Sequence, residues 1–191
     1  MELSGVSAMV VGMDTIPDEN YAASWEGDRP EPPRVASERE ILTSTLDWHR
    51  RTFELKCQGL TPEQMARRPI EPSSLSLHGL LRHLTGVERW WFRVQFVGED
   101  VPLLYYSDEW PEQDFEDLGG DVEEAWAAWR AECARSREIV AAASLDDTGK
   151  RRRDGEPFSL RWLLTRHIAE YARHAGHADL LRERIDGRTG H

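Results

Sequence analysis

An all-helical four-helix bundle, with a long crossover between its second and third helices, is the fold class this sequence predicts. Four long segments repeat apolar residues at helical spacing, residues 99–120 make one long connection without period, and no segment alternates as a strand does. A chain of 191 residues is the size of one ordinary domain with its own core.

The first ordered signal is Ser37-Glu38-Arg39-Glu40, a capping box in which hydroxyl and carboxylate satisfy amides at a helix start. Ile41, Leu42, Leu46, Trp48, Phe53 and Leu55 then recur at helical spacing to about Cys57. Residues 1–36 lack such a period and mix Pro, Gly and acids, so they are expected to be a flexible extension, with Met13 as an alternative start. The ordered domain is expected over 37–191.

Thr61-Pro62-Glu63-Gln64 opens a short helical connector, with Pro where its missing amide costs nothing. A Pro and Ser cluster then starts the second long helix, which carries Leu80, His83, Leu84, Val87, Trp90, Trp91 and Val94 and ends near Gly98. The crossover follows, with Pro102, Pro111 and Gly119-Gly120. Asp121-Val122-Glu123-Glu124 caps the third long helix, which runs to about Ala143. DDTGKRRRDGEP is a turn-rich loop whose basic run, enclosed by acids and Gly, is a solvated tip. Ser159 caps the fourth helix, from about Leu160 to Arg184. Trp126, Trp129 and Trp162 are expected in the core.

Charge narrows the partners. Asp and Glu number 35 against 24 Lys and Arg, a formal net charge of -11, which repels phosphate backbones and anionic lipid. Neither nucleic acid nor membrane is expected as a partner. SAMVVGM is far too short to span a membrane and has no basic residue before it. The two cysteines, Cys57 and Cys133, have no metal-type spacing, which fits a reduced, cytoplasmic protein. Cys57 reads as buried packing.

The chemistry concentrates in IAEYARHAGHADLLRER and the His167 before it. At 3.6 residues per turn Glu170 and His174 lie about 40° apart on one face, with His167 and His177 flanking them. Ile168, Ala172, Ala175, Ala178 and Leu181 fill neighbouring stripes, so the polar group is expected against the bundle interior. ExxxH spacing alone is weak, because charged helices produce it by chance. His83, set among Leu80, Leu84 and Val87, reads alone as a core histidine. Facing Glu170 and His174, it completes two imidazoles and a carboxylate with an open position, as catalytic divalent-metal sites have.

SLSLHGLLRHLTGVERWWF and LRWLLTRHIAEYARHAGHADLLRERIDGRTG resemble the DinB-like superfamily, in the actinobacterial branch related to mycothiol-dependent enzymes. The resemblance runs from about Pro30 to Gly190. It implies a metal held by His83 in RHLTGVE and by Glu170 and His174 in EYARHAGH. Many relatives have His where Glu170 stands, and the maleylpyruvate isomerases have Glu. His177 falls just beyond the triad, as a substrate-facing or a surface histidine. Trp90 is a candidate roof for the pocket, against the plainer reading of core packing. Arg82 and Arg173 are candidate substrate contacts, against the plainer reading of surface ion pairs.

The resemblance further implies a divalent metal, zinc first and nickel or another next, that lowers the pKa of a low-molecular-weight thiol such as mycothiol. The thiol then attacks a small electrophile, as in detoxification. Related isomerases carry a further carboxyl-terminal domain that this sequence lacks after its fourth helix, so thiol transfer is expected over isomerisation. Two other classes stay open: a hydrolase using water at the same triad, and a non-catalytic bundle that binds a small molecule. Superfamily members often form dimers, so a homodimer is a further expectation.

Overall fold

The computed structural model describes residues 29–151 and 155–189. The expectation for most of the extension, and part of the basic tip, lie outside the described residues. Among these the chain is all helical: α1 (Glu38–Cys57), α2 (Pro62–Ala66), α3 (Leu77–Glu88) continuing as a π-helix (Arg89–Val97), α4 (Gln113–Glu116), α5 (Val122–Ala142) and α6 (Leu160–Asp186). The four long helices α1, α3, α5 and α6 form the bundle, and the short α2 and α4 sit in its connections.

The helix starts follow the local chemistry. Ser37 accepts from the Glu40 amide, Ser76 from Gly79, Asp121 from Glu123 and Ser159 from Trp162. Thr61 and Gln64 form the full reciprocal capping box. Gly98 and Gly187, both left-handed, close the second and last long helices.

One core lies between all four long helices, built from Leu46, Phe53, Leu80, Leu84, Phe92, Trp129, Leu163 and Leu164 among others. The longest contact is between α1 and α6. Arg182 of α6, 1% exposed, helps to fix it by donating to the Lys56 and Gln58 carbonyls at the end of α1, which have no partner within that helix.

A second feature of the interior is polar. The fully buried carboxylate of Glu88 accepts two hydrogen bonds from Arg50, at 2.8 Å each, one from Tyr171 at 2.8 Å and one from Ser136 at 2.7 Å. All four long helices therefore meet on this carboxylate. Arg50 and the hydroxyls outweigh burial and hold its pKa down at about 2.

Two expectations about α6 need correction. Trp162 is 48% exposed, not core, because Leu163, Leu164, His167 and Tyr171 take the inward positions and Trp162 falls on the stripe beside them. Ala172 is likewise exposed. His167 is fully buried, in line with its expected place against the interior, and packs edge-on against Phe92 at 4.7 Å. Neither of its ring nitrogens has a hydrogen-bond partner among the described residues. Burial pushes its pKa down to about 4, so the ring is neutral.

Candidate metal centre

Two helices and the crossover position the site. His83 stands on α3, and Glu170 and His174 stand one turn apart on α6. One potential ligand atom from each lies within 4.8 Å of the others. Both imidazoles turn the same nitrogen inward: His83 Nε2 is 3.3 Å and His174 Nε2 is 3.4 Å from Glu170 Oε1. Two ligands each 2.0–2.1 Å from a tetrahedral ion are about 3.3 Å apart, so the two contacts to Glu170 are compatible with a shared ion, within a set that spans up to 4.8 Å.

The outer ring nitrogens are held as well. His83 Nδ1 is 2.7 Å from Asp114 Oδ2, and His174 Nδ1 is 3.3 Å from His177 Nδ1. A histidine that ligates a metal typically gives its other nitrogen to a carboxylate or another polar group, which sets tautomer and ring angle. Asp114 supplies that carboxylate from α4 and is 5% exposed. Phe115 beside it stacks on the His83 ring with centroids 5.1 Å apart. Gly79, one turn before His83, makes the approach possible: a Cβ there would meet Phe115 Cδ1 at 3.0 Å and the Asp114 carbonyl at 3.4 Å.

The charges are arranged to keep the carboxylate ionised. Hydrogen bonds from His174 and His83 hold Glu170 well below the usual carboxylate range. Burial disfavours charge on His83, yet the hydrogen bonds to Asp114 and Glu170 outweigh it and raise its pKa to about 9. In the metal-free protein a proton therefore takes the place between His83 and Glu170.

The remaining sequence candidates are spread around this centre. His177 touches His174 and is half-buried. Arg82 is 5% exposed and donates to the Gly119 and Gln113 carbonyls of the crossover, with its guanidinium 4.4 Å from the Tyr105 ring. Arg173 is exposed. Trp90 packs edge-on against Trp91 at 4.7 Å. It is Trp91 that leads to the triad: the Arg166 guanidinium lies 4.5 Å from its ring, and Arg166 Nη1 is 3.5 Å from Glu170 Oε2.

Sequence reasoning missed Asp114, Phe115 and Arg166. Arg166 had a usable signal, being one turn before Glu170 on the same stripe. Asp114 had none, since the crossover has no period from which to tell where its side chains go.

Among the described residues, neither cysteine nor Tyr171 offers a nucleophile at this centre. Cys57 and Cys133 are buried, and burial pushes both thiols well above their ordinary pKa. The Tyr171 hydroxyl, also buried, is held between Glu88 and the Trp129 indole.

Two histidines and a glutamate that facing helices of an all-helical bundle bring to one point are a group that could hold a metal ion. The sequence model of the mycothiol S-transferase family matches residues 41–187, and the chain belongs to that family. The match takes in all four long helices, the crossover and every residue of the triad. No curated protein matches the chain. Among the described residues no helix is long and apolar enough to cross a membrane.

Proposed function

We propose that this protein is a metal-dependent transferase that joins a low-molecular-weight thiol of the mycothiol type to a small electrophile. The observation that carries the reading is the convergence of His83, Glu170 and His174 within 4.8 Å in a chain of a thiol-transferase family. The donor set of two imidazoles and a carboxylate is that of an open catalytic site and suits zinc first, with nickel as the next choice. A divalent cation there would lower the pKa of a coordinating thiol and supply a nucleophile at neutral pH.

The chain's own residues do the rest. Asp114 and His177 hold the two imidazoles with Nε2 inward, and Arg166 fixes the second oxygen of Glu170. The buried cysteines leave the sulfur to be delivered from solution. In the transfer, a sulfur–carbon bond forms while the carbon–leaving-group bond breaks with its electron pair, and the thiol proton passes to solvent.

The test is conjugation of mycothiol to a bimane or haloalkyl reagent by protein of measured metal content. Turnover is expected to need both thiol and metal and to vanish in His83→Ala. Equal consumption of the electrophile with and without thiol would make the protein a hydrolase instead. Activity that survives chelation and the His83 substitution would remove the metal from the reaction.

A further inference from the structure

Trp162, Arg166, Glu170 and His174 follow one another at four-residue intervals on α6, each about 40° on from the last, so Arg166 stands between the surface at Trp162 and the triad. Beside the first two opens a pocket of about 560 Å³, lined by Trp91, Phe158, Trp162 and Arg166 together with Glu156, Pro157 and Ser159. Its walls are aromatic and set at angles. Trp91 and Phe158 meet edge to face at 88° with centroids 5.5 Å apart, and Trp162 tilts against both at 5.6 and 5.7 Å. Trp162 nevertheless keeps 48% of its surface exposed. Arg166 is common to pocket and triad: it lies over the Trp91 ring and reaches Glu170.

We propose that this pocket seats a flat aromatic group of the electrophilic co-substrate, beside the metal-binding cluster; the assignment rests on the transferase reading above. A corner made of ring faces and edges, with a guanidinium on one side, offers a planar ring stacking and cation–π contact. The polar side chains lining it are Glu156, Ser159 and Arg166. The Ser159 hydroxyl caps α6 by accepting from the Trp162 amide, and Arg166 is engaged with Glu170 and Trp91. A polyhydroxylated group, such as the sugar part of a thiol cofactor, needs several placed hydrogen-bond partners, and with Ser159 and Arg166 engaged the side chains lining this corner leave Glu156 to supply them.

The backbone is built to keep the corner in place. Gly149 donates to the Phe158 carbonyl at 3.0 Å, and a Cβ at Gly149 would overlap the Phe158 ring, with Cε1 at 2.8 Å. Only glycine at that position lets Phe158 reach Trp91.

Equilibrium dialysis of the full-length protein with hydroxybimane, the bimane ring without its leaving group, reads occupancy in the absence of any turnover. Binding is expected in the wild type, weakened about tenfold or more in Trp162→Ala and restored in Trp162→Phe. A half-exposed residue is a mild substitution, and circular dichroism checks that the helices persist. In turnover, Trp162→Ala is expected to lower the kcat/KM ratio of a bimane electrophile to iodoacetamide by a similar factor. Absence of hydroxybimane binding, binding unaltered by Trp162→Ala, or displacement of the probe by methyl glucoside or inositol would each overturn the assignment. Thiol-dependent turnover alongside any of those results would leave the transferase reading intact, while probe binding without turnover would separate the pocket from it.

Discussion

His83 Nδ1 donates to Asp114 Oδ2 at 2.7 Å, joining the second long helix to a one-turn helix 31 positions away in the crossover. That bond leaves Nε2 as the nitrogen directed at Glu170. The other Asp114 oxygen is buried without a partner among the described residues, so the carboxylate is kept in place at some cost. Asp114→Asn is expected to weaken zinc binding by about 10–100-fold, as loss of such an orienting carboxylate does. Competition with a chelator of known affinity measures it, and unchanged affinity would make Asp114 a packing residue.

His174→Ala is expected to strip the metal while leaving the fold. A three-ligand site loses most of its affinity with any ligand, whereas the core between the four helices does not depend on this ring. Elemental analysis should find the variant close to metal-free, with a melting temperature near that of chelator-treated wild type. A melting temperature well below that reference would show His174 to be structural.

Much of the fold was legible because its determinants are local. Ser37, Thr61, Asp121 and Ser159 announce their helices through side-chain caps, and the apolar period does the rest. Glu170 and His174 were legible for the same reason, since four residues on one helix fix their separation. His83 required a guess about which helices face each other. Asp114 and the Arg50–Glu88 pair depend on contacts between elements distant in sequence, which periodicity does not encode. Trp162 was misplaced for a related reason: whether an aromatic on α6 faces in or out depends on helix rotation, and its residue type alone does not set it.

Arg50→Ala is expected to destabilise the protein by about 3–5 kcal/mol, the usual cost of leaving one partner of a buried ion pair alone. Glu88 would keep its bonds from Tyr171 and Ser136 but lose both from Arg50. Chemical denaturation of metal-free protein reads the change without interference from the metal. A loss below 1 kcal/mol would mean that water or a rearranged side chain satisfies the carboxylate.

The same cluster sets an acid limit on stability. His167 has its pKa lowered by burial, from 6.5 to about 4, so between those values the unfolded chain binds a proton that the folded one does not. Stability from this group is complete above about pH 6.5 and falls as pH drops toward 4. Glu88, lowered from 4.5 to about 2 because Arg50 and the hydroxyls outweigh burial, adds a second loss of the same sign at lower pH. Denaturation midpoints of the metal-free protein should therefore be highest near pH 6.5, falling above it as His83, raised from 6.5 to about 9, gives up its proton, and declining below it by on the order of 3 kcal/mol for the His167 shift alone. His167→Gln, which cannot titrate, should flatten the profile between pH 6.5 and 4.5 and leave the Glu88 decline below that. A wild-type midpoint that stays constant down to pH 4.5, or a variant that follows the wild-type slope, would show that His167 is not buried neutral.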